Sequence, residues 1–177
     1  MAPHSRYARG IAAVAWAESG EVAQAQKLAD ELAKEYPQDT ILLGYWLPMA
    51  RASIEMNRRN ASGALEFLRQ AQSYEMGTPT PFIAPMGVLY LRGYAFLAAG
   101  QSKEAAAEFQ RIVDHPGIVQ NSPIGSLAHL GLGRALVAGG EKAKARTAYQ
   151  DFLGIWKEAD ADIPILKQAK QEYARLQ

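Results

Sequence analysis

The sequence repeats one pattern four times along its 177 residues. In each copy an apolar stretch ends at a turn, an alanine follows five residues later, and a second apolar stretch begins there. The marker alanines, Ala25, Ala64, Ala105 and Ala145, lie 39, 41 and 40 residues apart. A fixed period of this length is typical of proteins that stack one supersecondary unit, because a single unit cannot bury its apolar face alone.

The spacing within each copy predicts a pair of antiparallel helices. Apolar residues recur at intervals of three and four positions, as in Ala105, Phe109 and Ile112, which places them on one helical face. Glycines such as Gly93 and Gly133 stand where the two helices of a pair are expected to cross, and a larger side chain there would overpack the contact.

The pattern divides the chain into four predicted repeats within one domain. Their bounds are 7–37, 41–76, 84–116 and 124–158, and an amphipathic helix over 162–177 is predicted to cap the C-terminal end. Loops rich in proline and glycine are expected at 77–81 and 115–123. Pro48 lies inside apolar helical sequence and predicts a kink or break, because it cannot donate a hydrogen bond to Gly44.

Composition excludes several classes of function. The chain has no cysteine, so disulfides, thiolate zinc sites and a cysteine nucleophile are excluded. Its net charge of +1, with no block of either sign, argues against nucleic acid as a partner. The apolar stretches 41–50 and 82–91 are about half the length of a membrane span, so no membrane insertion is expected. The isolated histidines His4, His115 and His129 predict no metal site, and no cofactor is expected.

These features resemble the tetratricopeptide repeat family over 7 to about 157. The resemblance rests on the turn glycines Gly20, Gly100 and Gly140, each followed by an alanine five residues later, and on Tyr36 and Pro37 at the end of the first repeat. It implies an all-α fold, a right-handed α-α superhelix of about four helix pairs plus a capping helix. It also implies a function in binding proteins or peptides.

A closer resemblance is carried by residues 117–135 and 149–176. These segments are similar to the C-terminal repeat region of bacterial transmembrane serine/threonine kinases. Because the chain itself has no glycine-rich loop and no catalytic-loop motif, no kinase activity is carried over. The abrupt start near Tyr7 leads us to expect a fragment of a longer protein. The compartment stays open, and the resemblance would place this region outside the membrane.

In the family, ligands bind in a concave groove lined by the first helix of each pair. Carried onto this sequence, the groove comprises Tyr7, Val14, Glu18, Trp46, Met49, Ser53, Asn57, Tyr90, Tyr94, Leu97, Leu127, Leu130 and Arg134, with Gly10 beside them. The lysines and asparagines with which one subgroup clamps a C-terminal carboxylate are missing, and Arg134 is the one cation among these positions. An apolar or aromatic ligand segment is therefore favoured.

Three hypotheses of function follow. The first is an interaction module that binds an extended or helical peptide in the groove, attached in the parent protein to a kinase. The second is an assembly element that forms a homodimer through the uncapped end near Tyr7. The third, a hydrolase in the loops after Gly77 or His115, lacks a nucleophile and base at a recognisable spacing and is disfavoured.

Overall fold

The computed structural model describes residues 5–77 and 86–177, and every regular element in these two ranges is a helix. The first pair consists of α1 (Arg6–Glu18) and α2 (Val22–Glu35). The second pair begins with a π-helical turn (Leu42–Trp46) and continues as α3 (Leu47–Asn57), α4 (Ala61–Gln70) and a 3-10 turn (Gln72–Tyr74).

The C-terminal half continues the same arrangement. Its helices are α5 (Gly87–Ala98), α6 (Ser102–Val113), the short α7 (Pro116–Val119), α8 (Pro123–Ala138), α9 (Lys142–Ile155) and α10 (Pro164–Ala174). The first helix of each of the first three pairs packs on its own partner and on the first helix of the next pair, as α1 does on α2 and α3. The predicted all-α superhelix of about four helix pairs with a capping helix is therefore confirmed.

Some predicted features lie outside the described residues. They are His4, the start of the third repeat at 84, and most of the loop at 77–81. At Pro48 the helix is not broken. The π-helical turn leads directly into α3, with Leu47 donating its N–H to the Leu42 carbonyl five positions back, and this widened turn just before Pro48 accommodates its missing N–H.

The turn between the two helices of each pair has the same geometry in all four pairs. Gly20, Gly100 and Gly140 have φ angles of 89°, 74° and 80°, and the residue after each donates its N–H to a carbonyl five positions back. This left-handed termination satisfies the last carbonyls of the helix and favours glycine. Arg59 occupies the equivalent position in the second pair with a φ of 58°.

Replacing Arg59 with glycine is expected to stabilise the protein by about 0.5–1 kcal/mol, because the left-handed conformation is unfavourable for a residue with a Cβ atom. Urea unfolding measures the change. Arg58→Gly is the matched control, because Arg58 has a φ of −78° and forms an ion pair with Glu55. If both glycine variants lose stability, backbone strain at Arg59 is not significant.

Glycines on the first helices make room for aromatic rings from the second helices. A Cβ atom at Gly93 would lie 2.7 Å from the ring of Phe109, and one at Gly133 would lie 2.9 Å from the ring of Tyr149. Gly131 of α8 faces Phe109 as well, at 2.5 Å. The sequence predicted close contact between backbones at these crossings, but the structure places an aromatic ring over each glycine.

The apolar core consists of two large clusters that meet at α5. Val88 and Ala95 belong to the N-terminal cluster, whereas Leu89 on the same helix belongs to the C-terminal one. Because one helix contributes to both clusters, stability is expected to depend on the stacking of repeats.

A buried charge network joins the second and third pairs. Arg92 of α5 lies 2.7 Å from a carboxylate oxygen of Glu75 and 2.7 Å from one of Glu108. Arg111 of α6 donates a second hydrogen bond to Glu75, at 2.5 Å. Glu75 follows the 3-10 turn after α4, so the network connects three consecutive helices.

Candidate functional site

A cavity of about 550 Å³ is lined by the first helices of all four pairs. Every third or fourth residue of a helix faces the same side, so a few turns of each helix supply the wall. Its lining residues are mostly apolar or aromatic, and they are Ile11, Val14, Ala15, Glu18, Trp46, Met49, Ser53, Met56, Asn57, Gly87, Tyr90, Leu91, Tyr94, Ile124 and Leu127.

Most of the residues predicted for the groove line this one cavity. They are Val14, Glu18, Trp46, Met49, Ser53, Asn57, Tyr90, Tyr94 and Leu127. The sequence analysis missed Ile11, Ala15, Met56, Gly87, Leu91 and Ile124. Helical spacing could have revealed several of them, since Ala15 follows Ile11 by four residues, and Ile124 precedes Leu127 by three.

Four predicted groove residues do not line the cavity. On α1, Tyr7 lies one turn before Ile11, the first residue that lines the cavity. On α5, Leu97 lies beyond Tyr94, the last one. Leu130 is completely buried in the C-terminal core cluster. The cavity reaches only the first two turns of α8, to Leu127, so Leu130 and Arg134 lie too far along that helix.

Arg134 corrects the prediction most clearly, because its charge is used inside the fold. Its Nε and Nη2 atoms donate to the two carboxylate oxygens of Glu172 on α10, at 2.9 and 3.1 Å. Its Nη1 donates to the Tyr94 hydroxyl at 3.3 Å. Such a bidentate pair is geometrically specific. Arg134 therefore fixes the capping helix and positions Tyr94, which does line the cavity.

The partners of Glu172 show how tightly this contact is held. The Tyr149 hydroxyl donates to the same carboxylate at 2.8 Å. Burial would raise the pKa of Glu172, but the hydrogen bonds from Arg134 and Tyr149 hold that pKa below its ordinary value. The carboxylate is therefore ionised at neutral pH, as its ion pair with Arg134 requires.

Two tyrosine rings form one wall of the cavity. Tyr90 and Tyr94 stand edge to face with centroids 5.0 Å apart, and both also contact the Phe109 ring, at 6.1 and 5.1 Å. Burial, together with the hydrogen bond to Tyr94 and the nearby charge of Glu18, raises the pKa of Tyr90. Because both rings pack on the buried Phe109 ring, the Tyr90 and Tyr94 side chains are fixed in position by the core.

The polar groups of the wall differ in what they bind. The Asn57 amide donates to the Ala17 carbonyl at 2.8 Å and to the Ser53 carbonyl at 2.9 Å, so it holds the end of α1 against α3. The Ser53 hydroxyl and the Trp46 indole N–H are buried without a hydrogen-bond partner within 5–77 and 86–177. Glu18 forms neither an ion pair nor a hydrogen bond with any described residue.

Within the described ranges, no helix is both long and apolar enough to cross a bilayer. No group of three histidine or acidic side chains in those ranges is arranged to hold a metal ion.

A superhelix of stacked helix pairs with a cavity along its first helices has the architecture of a helical-repeat protein. Residues 90–161 match the family model described as a tetratricopeptide repeat. The match begins in α5 and ends beyond α9, so it covers most of the third and fourth predicted repeats. Neither a search of curated proteins nor one of solved structures found a match to the chain. Tetratricopeptide repeats generally mediate interactions between proteins.

Proposed function

We propose that this chain is an interaction scaffold that binds a peptide segment of another protein in the cavity of its first helices. The observation that carries the proposal is that α1, α3, α5 and α8 all contribute to one cavity of about 550 Å³. A cavity of this size accommodates a few side chains of an extended or helical segment.

The chemistry of the wall favours an apolar segment. Tyr90 and Tyr94 are large, held rigidly against Phe109, and bear hydroxyl groups, which are properties of residues that anchor interfaces. Arg134 is paired with Glu172 and lies outside the cavity. A partner's C-terminal carboxylate would therefore meet no cation on the described wall.

A double variant, Tyr90→Ala with Tyr94→Ala, is poorly suited as a test of this proposal. Both rings pack on Phe109 in the core, so their removal would lower stability as well as alter the cavity. Ala15 offers a better position, because it lines the cavity and yet is exposed to solvent.

Ala15→Trp is expected to weaken peptide binding by at least about tenfold, because the indole would occupy the cavity without removing a core contact. The ligands are peptides selected from a displayed random library against the unmodified chain, and fluorescence anisotropy measures their affinity. Ala8→Trp is the control, since Ala8 is an exposed alanine of the same helix outside the cavity. Equal affinities for the two variants would place binding elsewhere.

The alternative function, assembly of copies of this chain, is favoured by one observation. Trp16 on the outer side of α1 is 39% exposed and lies beside Leu28 of α2. Under the assembly hypothesis the chain would sediment as a dimer, and Trp16→Glu would dissociate it. A monomer at all concentrations would exclude this alternative.

The link to a bacterial serine/threonine kinase remains a prediction from the sequence. It would make this region the docking part of a larger receptor, outside the membrane. The absence of nucleic acid as a partner also remains a prediction, based on the balanced charge.

A further inference from the structure

We infer that the peptide bound in this cavity presents a lysine or arginine among apolar residues, and that Glu18 binds the basic side chain. This inference rests on the proposed function, because it names the chemical class of the segment that the cavity takes. Glu18 is a charged residue in an otherwise uncharged and mostly apolar wall, and the preference for an apolar segment does not account for it.

Glu18 is the one charged residue among the described residues that line the cavity. Glu55 of α3, by contrast, accepts hydrogen bonds from Arg58 and Asn60. Glu18 has no such partner among residues 5–77 and 86–177. Because Glu18 is exposed to solvent, its carboxylate is accessible to a ligand, and a cation of that ligand would pair with it when binding excludes water from the cavity.

The surroundings of Glu18 fit a basic side chain better than an inorganic cation. Lysine and arginine combine an apolar stem with a charged end, and the wall combines Ile11 and Leu91 with one carboxylate. Tyr90, on the facing helix α5, is close enough for its pKa to be raised by the Glu18 charge. An aromatic ring beside the carboxylate adds attraction for a cation through its π face.

The environment already affects the carboxyl group. Desolvation by its neighbours raises the pKa of Glu18 above its ordinary value. A bound ammonium or guanidinium group would reverse this effect. The raised pKa is consistent with a site that lacks its counter-ion in the free protein.

The test begins with peptides selected from a displayed random library against the unmodified chain. Peptides that lose affinity for Ala15→Trp but not for Ala8→Trp define the cavity ligands. We expect these to carry a lysine or arginine among apolar residues. Glu18→Gln is expected to weaken them about tenfold, which corresponds to about 1.4 kcal/mol. Glu21→Gln is the control, since Glu21 is an exposed glutamate three residues away and outside the cavity.

A second measurement distinguishes direct contact from a general charge effect. Replacing the selected basic residue with norleucine should cost about the same factor with the unmodified chain and almost nothing with Glu18→Gln, because the interaction is already lost. Independent, additive losses would overturn the inference.

The two proposals fail in different ways. Cavity ligands without a basic residue, or ligands that Glu18→Gln binds unchanged, would overturn the role of Glu18 and leave the peptide-binding function intact. Selection that gives no peptide sensitive to Ala15→Trp would overturn both.

Discussion

Replacing Phe109 with alanine is expected to lower the free energy of unfolding by about 3–5 kcal/mol, near the upper end of the range for a large-to-small core change. The Phe109 side chain is completely buried. Its ring fills space against Gly93 and Gly131, which have no side chains that could move into the vacated volume. The residues around the missing ring would relax little, so most of the space that the Phe109 ring had filled would remain empty. Urea or thermal unfolding measures the loss.

The control for Phe109 is Phe67→Ala on α4, a partly buried phenylalanine, for which we expect a clearly smaller loss. A double-mutant cycle tests the mechanism. Gly131→Ala alone should destabilise, because its Cβ would lie 2.5 Å from the ring, but in the Phe109→Ala background it should be neutral or stabilising. If the losses of stability from Phe109→Ala and Gly131→Ala simply add in the double variant, Gly131 does not make room for the Phe109 ring.

The same substitution should also affect ligand binding. Tyr90 and Tyr94 rest on the Phe109 ring at the back of the cavity wall. Without that support they lose their fixed positions, so peptide affinity should fall even at temperatures where Phe109→Ala is folded.

Replacing Arg92 with leucine is expected to cost about 3–5 kcal/mol at neutral pH, because removal of one partner leaves buried charge uncompensated. Arg92 and Glu75 are 9% and 7% exposed, and Arg92 donates to both Glu75 and Glu108. Arg111 still reaches both Glu75 and, at 3.6 Å, Glu108, but its single charge cannot neutralise two carboxylates. Chemical denaturation at neutral pH measures the loss. The control is Arg58→Leu, whose exposed ion pair with Glu55 should contribute less than about 1 kcal/mol.

The effect of Arg92→Leu should depend on pH in a defined direction. Although burial raises the pKa of Glu75, the hydrogen bonds and charges of Arg111 and Arg92 hold it below its ordinary value. Its contribution to stability is therefore present above the pKa of the unfolded chain and lost as pH falls through the folded pKa. In Arg92→Leu, Glu75 loses one of the two arginines that lower its pKa, so the difference in stability between the two proteins should narrow as the pH falls through the range in which glutamate titrates, about pH 4. A difference that is constant with pH would contradict the role of the network.

The repeat architecture could be predicted from the sequence because it depends on local signals. Turn glycines at a fixed distance from a marker alanine, and apolar residues spaced by three and four, specify helices and their terminations without long-range information. Arg59 shows the strength of this pattern, since the second pair adopts the left-handed turn even without a glycine. Only the structure shows that Arg59 itself adopts the strained left-handed conformation.

The candidate site was predicted less completely, because it depends on how far each helix extends along the cavity. Val14, Ser53 and Tyr90 line the cavity as well as belonging to the predicted groove, but no local pattern indicates that the cavity ends at Leu127 of α8. Leu130 has the right periodicity and is nevertheless in the core. Helical periodicity fixes a direction around the axis, whereas the depth of a cavity depends on the neighbouring helices.

The sequence by itself determined the helices, their pairing and the first-helix face on which the cavity lies, because these depend on contacts between residues close along the chain. Only the tertiary structure decided which charges are free. Arg134 is bound by Glu172, 38 residues away, whereas Glu18 in the cavity wall lacks a cation within the described residues. The partner of a charged side chain is chosen by distances in space between distant segments, and a single sequence does not encode those distances in any local pattern.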